Sequence, residues 1–186
     1  MADAAELVPG FEPESPLEEV AIAEPDLLRG LAWGKPRKAH PEGAIGNHVA
    51  DLLREIERSG ESGERRSQLR FVALVHDSFK GDVVKWLPRN GENHHAMRAR
   101  RFAERITDDE RLLATIELHD RPYSIWRKMR RRRRLDERAL DDLVARVPDH
   151  DLFIRFIEID GASEAKQDEP IEWFRDQLRE RGLVPA

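Results

Sequence analysis

The stretch Leu69-Arg70-Phe71-Val72-Ala73-Leu74-Val75 is apolar at six of its seven positions and runs directly into His76-Asp77. A segment with no polar face belongs to a helix surrounded by core. An imidazole and a carboxylate are thereby carried to a place where water is scarce, and an unpartnered carboxylate there costs several kcal/mol. A cation is the most direct compensation. The rest of the chain has to be read for groups that would help to hold one.

Periodicity of about 3.6 residues dominates after an irregular basic loop, Trp33 to Arg37. Pro25 to Leu31 suits a short helix. Ile45, Val49, Leu52, Leu53 and Ile56 form one apolar stripe, ended by Ser59-Gly60. Further helices are predicted over 65–78, over 93–106 (Ala99, Phe102, Ala103, Ile106), after Asp108-Asp109 (Leu112, Leu113, Ile116), from Pro122, and over 136–147, 149–160 and 170–181. The last is opened by Asp168 and Pro170 and closed by Gly182. Val83-Val84-Lys85-Trp86 is strand-like but isolated, so no sheet is expected. The expectation is an all-α, single-domain helical bundle of about seven or more helices over residues 25–186. Residues 1–24, rich in Glu, Ala and Pro, form an arm that is either flexible or strapped over the body.

Composition removes whole classes of chemistry. At 186 residues and 39% apolar content the chain supports one core. The absence of cysteine excludes disulfides, thiolate zinc sites and thiol nucleophiles, leaving nitrogen and oxygen ligands for any metal. Acids outnumber bases by 37 to 32, which does not mark a general polyanion binder. No apolar stretch approaches the roughly 20 residues that cross a bilayer, and the acidic start lacks the basic region of a signal peptide. A cytoplasmic protein without membrane contact is expected. Trp33, Trp86, Trp126 and Trp173 suit an interface as readily as a core, so the oligomeric state stays open.

Helical spacing turns several polar residues inward. His48 lies three after Ile45 and four before Leu52. His95 precedes Ala99, Phe102 and Ile106 by four, seven and eleven. His119 follows Leu112 and Ile116, and Asp160 follows Phe156 and Ile157. One inward histidine is usually a hydrogen-bonded core residue. Five or six inward polar groups on separate helices are more simply satisfied by one cavity that holds a metal. His95 is preferred to its neighbour His94, because adjacent residues on a helix differ by about 100°.

His48, His76-Asp77 and the distant Asp160 resemble the H…HD…D signature of the HD-domain superfamily of metal-dependent phosphohydrolases. His40-Pro41-Glu42-Gly43, with His48 eight after His40, is similar to the approach to that family's first ligand, and His76-Asp77-Ser78-Phe79-Lys80 to its HD-x-x-K form. His95 followed by Ala99 and Ala103 resembles the helix that adds histidines in two-metal branches. The resemblance covers about residues 40 to 162.

It implies an all-α fold in which His48, His76, Asp77 and Asp160 hold one divalent ion, with Asp77 bridging to a second ion when His95 and His119 join. Such ligands suit manganese, iron, cobalt, nickel, zinc and, less well, magnesium. The implied reaction is metal-assisted attack of water on a phosphate monoester or nucleotide-like phosphoester. Asp77 and Lys80 are the candidate catalytic residues, Lys80 neutralising charge on the phosphoryl oxygens. Arg121 and Arg127 are candidates to fork onto the substrate phosphate, as surface ion pairs would equally explain. Lys35, Arg37 and Lys38 either close over an anion or solvate a loop.

Two alternatives stand beside this reading. Relatives with the same ligand set hold two irons and cleave carbon bonds with dioxygen. A noncatalytic sensor or adaptor would instead use the seven cations in the eight residues Arg127–Arg134 to recruit RNA or an acidic partner. That run is read here, in preference to nucleic-acid contact, as a solvated helix paired with Asp136, Glu137, Asp141 and Asp142.

Overall fold

A computed structural model describes residues 3–36, 43–162 and 169–185 of the chain. Among them are eleven α-helices and no strand: α1 (Ala4–Leu7), α2 (Pro16–Ile22), α3 (Pro25–Leu31), α4 (Ile45–Arg58), α5 (Gly63–Val75), α6 (His95–Ala103), α7 (Glu110–Leu118), α8 (Arg121–Arg132), α9 (Glu137–Arg146), α10 (His150–Gly161) and α11 (Glu169–Glu180). The fold is all-helical, as the periodicity predicts.

Helix α5 is the axis of the bundle. Every residue from Gln68 to Val75 is buried, because α4, α7, α10 and α2 pack around it. Helix α10 lies against α4, α5, α7 and α11, and α11 covers α8. Short polar residues start these helices. Asp109, Asp136 and Asp149 accept backbone N–H groups of α7, α9 and α10, and Pro16, Pro25 and Pro122 sit in first turns. Gly60, at φ 72°, ends the segment after α4 in the left-handed conformation that glycine adopts freely.

Two helix ends differ from the sequence reading, and both differences shape the site. Helix α5 stops at Val75 rather than residue 78. His76 is its C-cap, and the chain passes through a turn into a short 3-10 segment, Lys80–Asp82. The segment predicted over 93–106 is α-helical only from His95 to Ala103, with a 3-10 turn, Gly91–Asn93, before it. Asn93 causes the late start: its side chain is spent on the preceding loop, accepting from Val84 N and donating to Val84 O and Pro88 O.

The N-terminal segment is laid over the body. Val8 and Phe11 are buried, and the Arg70 guanidinium stands 5.7 Å from the Phe11 ring centroid. Glu18, fully buried, accepts from Arg70 Nε at 2.9 Å.

Helix α3 crosses the turn after His76-Asp77 so closely that a Cβ on Gly30 would lie 1.9 Å from the carbonyl oxygen of Ser78. Backbone cannot yield there as a flexible side chain would. Gly30→Ala should therefore destabilise the chain by roughly 1–3 kcal/mol, the usual cost of overpacking, lowering the melting temperature by several degrees in a thermal scan.

Candidate metal centre

Five helices bring their ends or inner faces to one point beside Phe156. His48 comes from α4. His76 and Asp77 follow the last turn of α5, His95 is the first residue of α6, His119 is the C-cap of α7, and Asp160 is in the last turn of α10. His48, His76, Asp77 and His119 are buried. The ring of Phe156 lies 5.1 Å from that of His76 and 6.3 Å from that of His119, forming an apolar floor.

Asp77 divides the cluster. On its Oδ2 side His76 Nε2 is at 3.4 Å and His48 Nε2 at 4.0 Å, while Asp160 Oδ1 lies 3.1 Å from His48 Nε2 and 3.8 Å from His76 Nε2. On its Oδ1 side are His95 Nε2 at 3.2 Å and His119 Nε2 at 3.7 Å. Two groups of potential ligands result, His48 with His76 and Asp77, and Asp77 with His95 and His119.

The hydrogen bonds behind the rings decide which nitrogens face the centre. His76 Nδ1 lies 3.0 Å from Ala73 O, and His119 Nδ1 lies 2.9 Å from Ile116 O. A carbonyl only accepts, so both Nδ1 atoms carry protons and each neutral ring turns the lone pair of Nε2 inward. This is the backing that metal-ligating histidines commonly receive. His76 Nε2, Asp77 Oδ1 and His95 Nε2 are buried and make no hydrogen bond among the described residues. Donors spaced 3.1–4.0 Å apart suit a cation about 2.0–2.2 Å from each of them, so these residues fit a bound metal.

The electrostatics ask for positive charge. Burial alone would raise the Asp77 pKa, but His76 and Lys80 beside it hold its carboxyl well below the usual carboxylate range. Burial pulls His119 down, yet Asp120, Asp77 and Asp160 outweigh it and push the imidazole up to about 9. His95 is likewise raised against its burial by Asp120 and Asp77, whereas burial dominates at His76 and lowers it. Lys80 lies on the rim, its side chain 27% exposed, with its ammonium on Asp77 Oδ2.

Cation binding must displace the proton that His119 holds below about pH 9. In the metal-free chain the stabilisation from this raised pKa is fully present below about 6.5 and is lost as pH rises through about 9; His95 acts in the same direction. Below 6.5 the lowered His76 pKa erodes stability instead. Urea titrations in chelator should therefore show greatest stability near pH 6.5 and a loss of a few kcal/mol by pH 9, whereas affinity for a divalent ion should rise over that same interval.

Asp120, which is not among the ligands expected from the sequence, belongs to the centre. Its Oδ2 lies 3.2 Å from His95 Nε2 and its Oδ1 3.7 Å from His119 Nε2, with its side chain 49% exposed at the mouth. The signal was present, since His119-Asp120 repeats the dipeptide His76-Asp77. His94 also lies beside His95, ring centroids 4.5 Å apart, and groups with His95 and Asp120. His94 escapes the 100° helical offset from His95 because it is the extended N-cap of α6, not a helical residue.

Arg121 and Arg127, the candidates for holding a substrate phosphate, have other partners in this structure. Arg121 Nη2 is 3.8 Å from Asp142, and the Arg127 guanidinium lies 5.7 Å from the Tyr123 ring centroid. Arg37, Lys38 and the His40-Pro41-Glu42 stretch, like Asp168, lie outside the described residues. No helix among the described residues is long and apolar enough to cross a membrane. Comparisons with models of protein families, with curated proteins and with solved structures give no match. The chain is a helical protein whose buried histidine and aspartate groups can hold a metal ion.

Proposed function

We propose that this chain is a divalent-metal-dependent phosphohydrolase of the HD-domain kind, acting on a phosphate monoester or nucleotide-like phosphoester. The observation that carries the reading is the position of Asp77 between two sets of inward imidazoles, one on each carboxylate oxygen. His48, His76, Asp77 and Asp160 would hold one ion; Asp77, His95 and His119, with Asp120 at the mouth, would hold a second. Bound there, a divalent cation supplies a Lewis acid that polarises a phosphoryl oxygen and lowers the pKa of water.

The chain's own groups then have distinct work. Phe156 and the buried turn at His76-Asp77 keep bulk solvent from the inner side, so charge interactions there are weakly screened. Lys80, which reaches the centre from the rim, can turn from Asp77 to a nonbridging oxygen and neutralise charge as it grows. Lys80→Met should lower kcat by about 10²-fold while leaving metal content intact, measured as turnover beside elemental analysis.

The reading is tested by assaying the chelator-stripped chain, reloaded with manganese, iron, cobalt, nickel, zinc or magnesium in turn, on phosphomonoesters, phosphodiesters and nucleotides. Release of phosphate or alcohol that needs the ion supports it. Metal binding without turnover on any phosphoester, or oxygen consumption by the iron form, rejects it in favour of a sensor or of an oxygenase.

A further inference from the structure

The Arg-rich run does not pair with the acids that follow it. Asp142 lies near Arg121 and Arg146, Glu137 and Asp141 face Arg181, and Asp136 caps α9. Among the described residues none of Arg127, Lys128 or Arg130 to Arg134 forms an ion pair, whereas most guanidinium groups elsewhere meet carboxylates, as Arg155 meets Glu61 and Arg175 meets Glu158, with Arg89, Arg98 and Arg138 as exceptions. Seven cations are thus presented to solvent by a chain whose net charge is −5. Mutual repulsion makes that costly without an anionic partner.

Aromatic rings lie on the same helix just before the run. Tyr123 and Trp126 are stacked, with centroids 6.2 Å apart and planes at 26°. The Arg127 guanidinium lies 5.7 Å from the Tyr123 centroid, and that of Arg130 lies 5.5 Å from the Trp126 centroid. Tyr123, Arg127 and Arg130 are spaced by four and three, so they share one face of α8. Beyond the helix, Arg133 takes the left-handed conformation at φ 53°, and the chain turns around a groove of about 570 Å³ lined by Met129, Arg130, Arg133, Arg134 and Leu135.

We propose that this face of α8 and the groove at its end bind single-stranded nucleic acid. Unpaired guanidinium groups would hold successive phosphates, and the Tyr123–Trp126 stack would receive a base, an interaction open to any base because each has a π-face. A duplex keeps its base faces stacked on one another and cannot use the rings. The inference does not rest on the proposed hydrolase, since binding needs neither ion nor turnover.

The test is fluorescence anisotropy of a labelled oligothymidylate with the full chain in chelator, over a series of salt concentrations. Binding is expected, with log affinity falling against log salt by about 0.7 per phosphate held. The triple variant R127Q/R130Q/R134Q should bind at least about tenfold more weakly and lose about two units of that slope. Tyr123→Ala should weaken binding by about fivefold or more with the slope unchanged. Absence of binding at low salt overturns the proposal. So does equal binding of heparin with no effect of Tyr123→Ala, which would mark a general polyanion surface, and so does a preference for anionic phospholipid vesicles over the oligonucleotide.

Discussion

Asp77→Asn should leave a folded chain that no longer retains divalent metal and whose phosphoester turnover falls by at least about 10³-fold, some 4 kcal/mol of transition-state stabilisation. Both carboxylate oxygens are in use, Oδ2 toward His48 and His76, and Oδ1 toward His95 and His119. An amide of the same size offers one neutral oxygen and an N–H donor, so it opposes a cation on one side of the cluster and weakens its hold on the other. The fold survives because Lys80, released from its partner, can swing toward solvent. Circular dichroism of the metal-free variant beside elemental analysis separates loss of the site from loss of structure. Retention of wild-type metal and turnover would remove Asp77 from the chemistry.

The largest effect on stability is expected far from the metal, at Glu18→Ala. Arg70 sits on the central helix with its side chain 6% exposed, and Glu18 opposite it is fully buried. Glu18 accepts Arg70 Nε at 2.9 Å, the backbone N–H of Glu14 at 2.8 Å and the Ser15 hydroxyl at 3.2 Å, so one carboxylate fastens both the guanidinium and the N-terminal segment. Removing it leaves the buried guanidinium with only the part-exposed Glu14 carboxylate and the Glu12 carbonyl, and breaking a buried pair in this way costs about 3–5 kcal/mol. Against a typical total of about 5–15 kcal/mol, the melting temperature should drop by roughly 6–20 °C. Limited proteolysis should then cut first between residues 8 and 24. Adding Arg70→Met should restore most of the loss, because the buried charge disappears with its partner. A Glu18→Ala chain of unchanged stability would mean that the guanidinium is satisfied by the Glu12 carbonyl and Glu14 alone.

Much of this arrangement was legible in the sequence because it rests on periodicity. The inward spacing of His48, His95, His119 and Asp160 against Ile45, Ala99, Ile116 and Phe156 is a property of helices, and helices formed at those positions. The two misses at the metal centre share one cause: they lie where the chain leaves the helix. Asp120 occupies the single residue between α7 with its cap and α8, and His94 is extended, so 3.6-residue spacing says nothing of where either points. The pairing of Glu18 with Arg70, 52 residues apart, is set by tertiary packing that no local pattern encodes. The same holds for the Arg127–Arg134 run: composition suggested that the nearby acids neutralise it, but those acids cap α9 or face Arg181, Arg121 and Arg146.

The most direct measurement is elemental analysis of the chain purified without chelator, followed by calorimetric titration of the stripped chain with divalent ions. One to two equivalents of a transition metal per chain, absent from Asp77→Asn and bound more tightly as pH rises toward 9, is the expected result. A stripped chain that takes up none of manganese, iron, cobalt, nickel, zinc or magnesium would contradict it and leave the cluster of imidazoles and carboxylates as a purely structural feature of the core.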